Sequence, residues 1–393
     1  MMFCNAKLFW KLMLASGLVA GSVATHAQPI KVGWLSSLTG PLSSAAIAEN
    51  QGVQLAVDEI NKAGGILGRP IELLTRDTAG DPTKAVNFAQ QLAFSDKVHF
   101  VIGPVNSGEG LAATPILARA GVPNIVIGAI DELTDAKKYP RAFRMINTNM
   151  QWISTANEYA LNTLKAKKIA VIADTSGYGT ASAKSAIALL EKAGIKPVYS
   201  VLIDANKTDV MDEMTKARNA GADIVMPWSA ATGLLGRLLN ARGEMGWDVN
   251  VVGHPALMAA QIRKLLNKPQ YWEKTYAAGY VSTTYLPDGK LPAPTQALVN
   301  KVRPLIGGGE IDITFWWVAL GYDTVKMVEH AIKKAGSTDP AAIQKVMEET
   351  KNFPGVYATY SYSLTQRDGF PDSNMIMNTA NTFKDGSFKP APR

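Results

Sequence analysis

Val98-His99-Phe100-Val101-Ile102 is a short, mostly apolar run, and Gly103-Pro104-Val105-Asn106-Ser107-Gly108 separates it from the small-residue stretch Gly110 to Ala120. A run of this length bounded by Gly-Pro predicts a buried strand, and the turn after it feeds a helix. Strand, turn and helix in that order are the unit of a parallel sheet with helices on its faces. At the start of the helix, free N–H groups and the Ser107 hydroxyl can hold an anionic oxygen with help from the helix dipole. The plainer reading is that Ser107 caps the helix. Ligand sites in open α/β sheets lie beyond the carboxyl ends of strands, which makes Asn106 and Ser107 candidates for ligand contact.

Outward from this unit the alternation repeats. Ile30 to Leu35 predicts a strand, and Ala48 to Asn61 a helix with Val53, Leu55, Ala56, Val57 and Ile60 apolar and Gly64-Gly65 closing it. Ile71 to Arg76 is a second strand, Asp81-Pro82 opens a helix through Phe94, and Asn124 to Ile127 is a further strand. The second half repeats the plan: strands at Lys168 to Ala173, Val198 to Ile203, Asp223 to Met226 and Val249 to Val252, with helices at Ala181 to Lys192 and Asp209 to Asn219. The turn Pro227-Trp228-Ser229-Ala230 stands where Pro104-Val105-Asn106-Ser107 stands in the first half. The expected fold is α/β, with two doubly wound parallel-sheet lobes whose strand-to-helix turns face one cleft. Beyond Tyr276 come a β-like run to Tyr285, a loop with Pro287, Pro292 and Pro294, a long helix from Phe315 to Ala335, and a helix opened by Asp339-Pro340.

Composition narrows the function. The chain has 393 residues, 47% hydrophobic and 19% charged, which fits a globular protein of two or three domains rather than a disordered or multi-span chain. Forty basic residues face 33 acidic ones, but no basic run exceeds a pair, so nothing resembles a nucleic-acid footprint. Lys7 and Lys11, the apolar stretch Leu12 to Ala24 and the small-residue end Thr25-His26-Ala27 read as a secretory signal cleaved after Ala27. That stretch falls short of the ~20 residues a membrane span needs. Cys4, the only cysteine, would leave with the signal, which excludes thiol catalysis, disulfides and cysteine zinc sites from the mature chain.

Other motifs are weak. Gly177-Tyr178-Gly179 invites a dinucleotide reading, but Ser182 replaces the third glycine, so a turn presenting Tyr178 to a cleft is favoured and no cofactor is expected. Gly307-Gly308-Gly309 lacks the Lys-Ser or Lys-Thr of a phosphate loop. No G-x-S-x-G occurs, and after the signal only His99, His254 and His330 remain, so an enzyme is not expected. His254, in Gly253-His254-Pro255 after a strand, is the histidine placed for ligand contact. Neither paired histidines nor a carboxylate cluster at metal-ligand spacing is present.

Taken in order, several segments carry a resemblance: Ser37-Leu38-Thr39-Gly40-Pro41-Leu42, Gln51-Gly52-Val53-Gln54-Leu55-Ala56, Asn61-Lys62-Ala63-Gly64-Gly65-Ile66, Asp77-Thr78-Ala79-Gly80-Asp81-Pro82, Val101-Ile102-Gly103, Glu132-Leu133-Thr134, Tyr178-Gly179 and Gly321-Tyr322-Asp323. The chain resembles the periplasmic solute-binding proteins of ABC importers, specifically the branched-chain amino acid (leucine/isoleucine/valine) family. The resemblance implies a type I clamshell with three crossings: residues 1–27 as signal, 28–148 and 279–361 as lobe I, and 149–278 and 362–393 as lobe II. It implies a small-molecule ligand whose carboxylate is held by Ser107 and by the turn Ile127-Gly128-Ala129, where Ala129 replaces the family's threonine. Tyr178 would come from the second lobe and Trp317 would wall the side-chain pocket. The family's acidic partner for the ligand ammonium falls at Gly253-His254-Pro255, where no acid stands. The expected ligand is a small amino acid or a related organic carboxylate. Because a buried ammonium without a counter-charge costs several kcal/mol, the missing acid favours a carboxylate lacking an α-amino group, with Trp228, Trp317 and Tyr178 stacking on it and His254 and Pro255 near its polar end. The implied role is an exported receptor that hands its ligand to an inner-membrane ABC permease; the alternative is a periplasmic sensor or chemoreceptor partner using the same clamshell.

Overall fold

A computed structural model describes residues 28–393; the expected signal segment and its cleavage point lie outside the described residues. The first sheet holds β1 (Ile30–Ser36), β2 (Ile71–Asp77), β3 (Phe100–Ile102), β4 (Asn124–Val126) and β5 (Ala142–Arg144) in the order β2-β1-β3-β4-β5, all parallel. Its connecting helices are α1 (Ser43–Lys62), α2 (Pro82–Gln90) and α3 (Ser107–Ala120). α2 begins as Asp81-Pro82 predicts: the Asp81 carboxylate accepts the N–H groups of Thr83 and Lys84, and Pro82 needs no acceptor at the first helical position.

After α4 (Asn149–Glu158), whose start is fixed by a reciprocal Thr148–Gln151 cap, the chain builds a second sheet. It contains β6 (Ile169–Asp174), β7 (Tyr199–Ile203), β8 (Ile224–Trp228), β9 (Asn250–Gly253) and β10 (Thr275–Tyr280), linked by α5 (Gly177–Lys192), α6 (Met211–Asn219), α7 (Thr232–Glu244) and α8 (Ala260–Leu265). The chain then returns to the first half with α9 (Ala293–Val302), α10 (Phe315–Ala335), α11 (Pro340–Glu349) and the small pair β11 (Phe353–Pro354) and β12 (Thr359–Tyr360). It ends on the second sheet as β13 (Met375–Lys384) and β14 (Ser387–Pro390). The chain therefore passes between the halves three times: after β5, after β10 and before β13.

The parallel expectation holds for every strand pair of the first sheet and for β7-β6-β8-β9-β10, but β13 pairs antiparallel with β10, and β14 with β13. A short turn at Asp385-Gly386 can join only antiparallel neighbours, so the tail forms a hairpin on the sheet edge. Other boundaries differ for local reasons. α1 begins at Ser43 rather than Ala48, because Ala45, Ala46 and Ala48 are small enough to be buried. The expected turn at Pro227-Trp228 is strand, since Ile172 and Ala173 of β6 stand opposite these residues. Pro292-Ala293-Pro294 opens a helix instead of continuing a loop, because a first-turn proline sacrifices no helical bond. The β-like run expected to Tyr285 stops at Tyr280 and becomes a 3₁₀ turn.

One apolar cluster spans both halves: Trp34, Phe100 and Ile102 of the first sheet and Val171, Met226 and Val252 of the second join through Trp152, Tyr178, Tyr280 and Trp316. No described helix is long and apolar enough to cross a membrane.

Candidate ligand cleft

The carboxyl ends of the strands bring two groups of residues together across the halves. The first is built around α3. Asn106 caps this helix, accepting the Gly108 N–H at 2.8 Å. Ser107 is therefore the first helical residue and not the cap that the plainer reading expected. Its buried Oγ accepts the Ala129 N–H at 3.1 Å, which leaves the hydroxyl hydrogen to donate elsewhere. A Cβ on Gly128 would stand 3.0 Å from the Ser107 Cα, so Ile127-Gly128-Ala129 can lie this close only with glycine at its centre. The Ala129 carbonyl is fully engaged: it accepts Arg144 Nη1 at 2.8 Å and the Asn149 N–H at 2.8 Å.

Facing this group is the first turn of α5, where Tyr178 lies. The expected turn at Gly177-Tyr178-Gly179 is helix, capped by Ser176. Gly177 meets Gly108: a Cβ on Gly177 would sit 3.0 Å from the Gly108 Cα, so the starts of α3 and α5 touch through two glycines. Tyr178 is buried, which holds its phenol protonated, and its Oη has no hydrogen-bond partner. Trp228, at the end of β8, is also buried with Nε1 unpartnered.

The second group forms a small cavity with His254, Pro255, Trp316, Trp317, Ser44 and Thr232 among its walls. Ser44 and Thr232 approach to 3.4 Å across the halves. Of the expected residues, His254, Pro255 and Trp317 line this cavity, whereas Asn106, Ser107, Ile127, Gly128, Ala129, Tyr178 and Trp228 do not. The two groups are joined by aromatic contact, with the Tyr178 and His254 rings 5.0 Å apart.

His254 caps a 3₁₀ turn, its Nδ1 accepting the Ala256 N–H at 3.1 Å. Burial pushes its pKa down to about 3, against a smaller upward pull from a hydrogen bond to the Ser229 backbone. The ring is neutral at physiological pH, and its remaining nitrogen carries the proton.

Two residues packed beside the candidate positions had little signal in the sequence. Asp174, buried at the end of β6, binds the Ser176 N–H and hydroxyl and accepts the Ser229 hydroxyl at 2.5 Å. An aspartate closing a strand before Ser-Gly could have flagged it. Trp152, on a helix that the strand-and-helix alternation missed, packs its ring edge-on against both His254 and Tyr178. Glu109 is buried with Oε2 accepting the Ser37 hydroxyl at 2.9 Å, and burial raises its pKa.

The family model for periplasmic binding proteins matches residues 29–387. The chain belongs to this family. This periplasmic binding protein is 29% identical over 366 residues to a Leu/Ile/Val-binding protein homolog of Brucella melitensis, covering 92% of this chain and 94% of that one. It is 30% identical over 353 residues to an amino acid binding protein of Pseudomonas aeruginosa, covering 89% and 90%. Among solved structures it is similar to the substrate-binding protein LivJ of Streptococcus pneumoniae in complex with isoleucine, with a TM-score of 0.79 at 26% identity, covering 92% of this chain and 99% of that one. The family places this binding protein outside the cytoplasm.

Proposed function

We propose that this protein is an exported receptor that closes its two lobes on a small organic carboxylate without an α-amino group, and delivers it to an inner-membrane ABC permease. One observation supports the ligand class: buried donors without partners stand at the cleft, and, Glu109 Oε1 apart, the acceptors beside them already hold protein donors. The Tyr178 hydroxyl and the Trp228 Nε1–H are buried and unpartnered, and the Ser107 hydroxyl retains its hydrogen. On the acceptor side, the Ala129 carbonyl holds Arg144 and Asn149, Asp174 holds Ser176 and Ser229, and His254 Nδ1 holds Ala256. An anionic oxygen is stabilised by such donors, whereas an ammonium would be left unpaired at a cost of several kcal/mol. Trp316, Trp317 and His254 favour an aromatic or flat apolar body for the ligand.

The names of the relatives support a second reading, a leucine-like amino acid, with Glu109 or Asp131 supplying the missing charge. Calorimetric titration of ligand-stripped protein with benzoate and with leucine separates the two. Saturable benzoate binding without leucine binding is expected; tight leucine binding overturns the ligand class and leaves the receptor role standing.

A further inference from the structure

A buried cluster lies at the point where the chain passes between the halves. The only polar atom of the Trp152 side chain, Nε1–H, donates to Tyr280 Oη at 2.9 Å. Tyr280 donates in turn to Asn147 Oδ1 at 3.1 Å, and the same oxygen accepts the Tyr357 hydroxyl at 3.1 Å. Asn147 lies on the first crossing, Tyr280 ends β10 on the second, and Tyr357 precedes the third. All four side chains are buried.

The same indole packs on two of the cleft residues. Its ring meets His254 at 4.8 Å and 79°, and Tyr178 at 6.0 Å and 85°. From the other half, Trp316 packs on Tyr280 at 5.1 Å and stacks on Trp317 at 4.1 Å. Trp317 and His254 line the same cavity. The two walls of the cleft are therefore each backed by one indole, and both indoles meet at Tyr280. A shift of the second crossing moves the Tyr280 ring, and neither indole can keep its contact without moving the wall in front of it, because packed rings have few alternative arrangements.

We propose that Trp152 and Tyr280 are positioning residues for ligand binding: their hydrogen bond holds His254 and Tyr178 in place and ties the shape of the cleft to the closed state of the hinge. This rests on the receptor reading above but on neither choice of ligand.

Trp152→Phe keeps a ring in place and removes the donor; Tyr280→Phe removes only the hydroxyl. Nitroxide labels at Lys84→Cys on α2 and Lys184→Cys on α5, with Cys4→Ser, report the distance between halves by pulsed electron resonance without any ligand. Both variants are expected to shift this distribution toward longer separations. Each is also expected to weaken binding of whichever probe the parent protein binds, benzoate or leucine, by about tenfold, and the double variant by no more than Tyr280→Phe alone, which already removes the shared bond together with the one to Asn147. An unchanged distance distribution in both folded variants overturns the proposal, as do additive losses in the double variant. Should neither probe bind the parent, the ligand reading falls, and the distance measurement still decides the role of Trp152 and Tyr280.

Discussion

Ser107 shows how one hydroxyl can serve fold and site together. Its Oγ satisfies the buried Ala129 N–H, so Ser107→Ala leaves that donor unpaired at about 1–3 kcal/mol. The expected outcome is a lower melting temperature with an unchanged circular dichroism spectrum, and ligand binding at least tenfold weaker by calorimetry; an unchanged dissociation constant removes Ser107 from the site. Two buried titratable groups give opposite pH dependences. Glu49, fully buried on α1 with neither oxygen partnered, has its pKa pushed up to about 8 by desolvation. Between about 4.5 and 8 the folded chain keeps this proton and the unfolded chain has lost it, so stability falls as pH rises through that window. Urea midpoints measured at pH 6 and pH 8.5 should differ less in Glu49→Gln than in the parent. For His254 the folded pKa is depressed, from 6.5 to about 3, so the unfolded chain binds the extra proton and stability falls as pH drops from 6.5 toward 3. His254 stays neutral above that window, and its titration should leave binding measured between pH 6 and 8 unchanged.

At the scale of elements, the decisive contact is between the starts of α3 and α5. A Cβ on Gly177 would lie 3.0 Å from the Gly108 Cα and 3.2 Å from its nitrogen, both backbone atoms that cannot rotate away. Gly177 is helical, so alanine suits its own half. Gly177→Ala should therefore fold normally, melt at or slightly above the parent temperature without ligand, and bind about tenfold more weakly, because closure and not folding is obstructed. Scattering that reports equal compaction on ligand addition in both proteins would disprove this. The helices themselves obey local rules: Asp81 and Asp339 each accept two N–H groups at a helix start with proline next in line.

Across the whole molecule, Arg144 ties the cleft to the third crossing. It is fully buried at the end of β5, donates to the carbonyls of Ala129 and Ile130, and lies 3.3 Å from Asp368. The backbones of Arg144 and Gly369 also pair directly. Arg144→Met takes one donor from each of two carbonyls, which keep the Asn149 and Leu133 N–H groups, and removes the charged partner of the part-buried Asp368, a loss of about 1.5–3 kcal/mol. Chemical denaturation should register this as a lower midpoint, whereas Asp131→Asn, whose carboxylate is 64% exposed and 4.0 Å from the guanidinium, should change stability by well under 1 kcal/mol.

Sequence alone determined the alternation of strands and helices, the α/β class, the helix starts at Asp81-Pro82 and Asp339-Pro340, and the long helix Phe315 to Ala335, because apolar period and capping chemistry act over a few residues. It also marked Ser107, Tyr178 and His254, since strand-end turns are read locally. Tertiary structure decided what period cannot encode. Trp228 became strand through its pairing with β6, and the tail became an antiparallel hairpin through the edge it meets. Trp152, Asp174, Tyr280 and Arg144 acquired their roles from partners up to 224 residues away. The donors and acceptors of the cleft could be counted only once those partners were known. A hydrogen bond depends on where two distant segments pack, and sequence spacing does not carry that information.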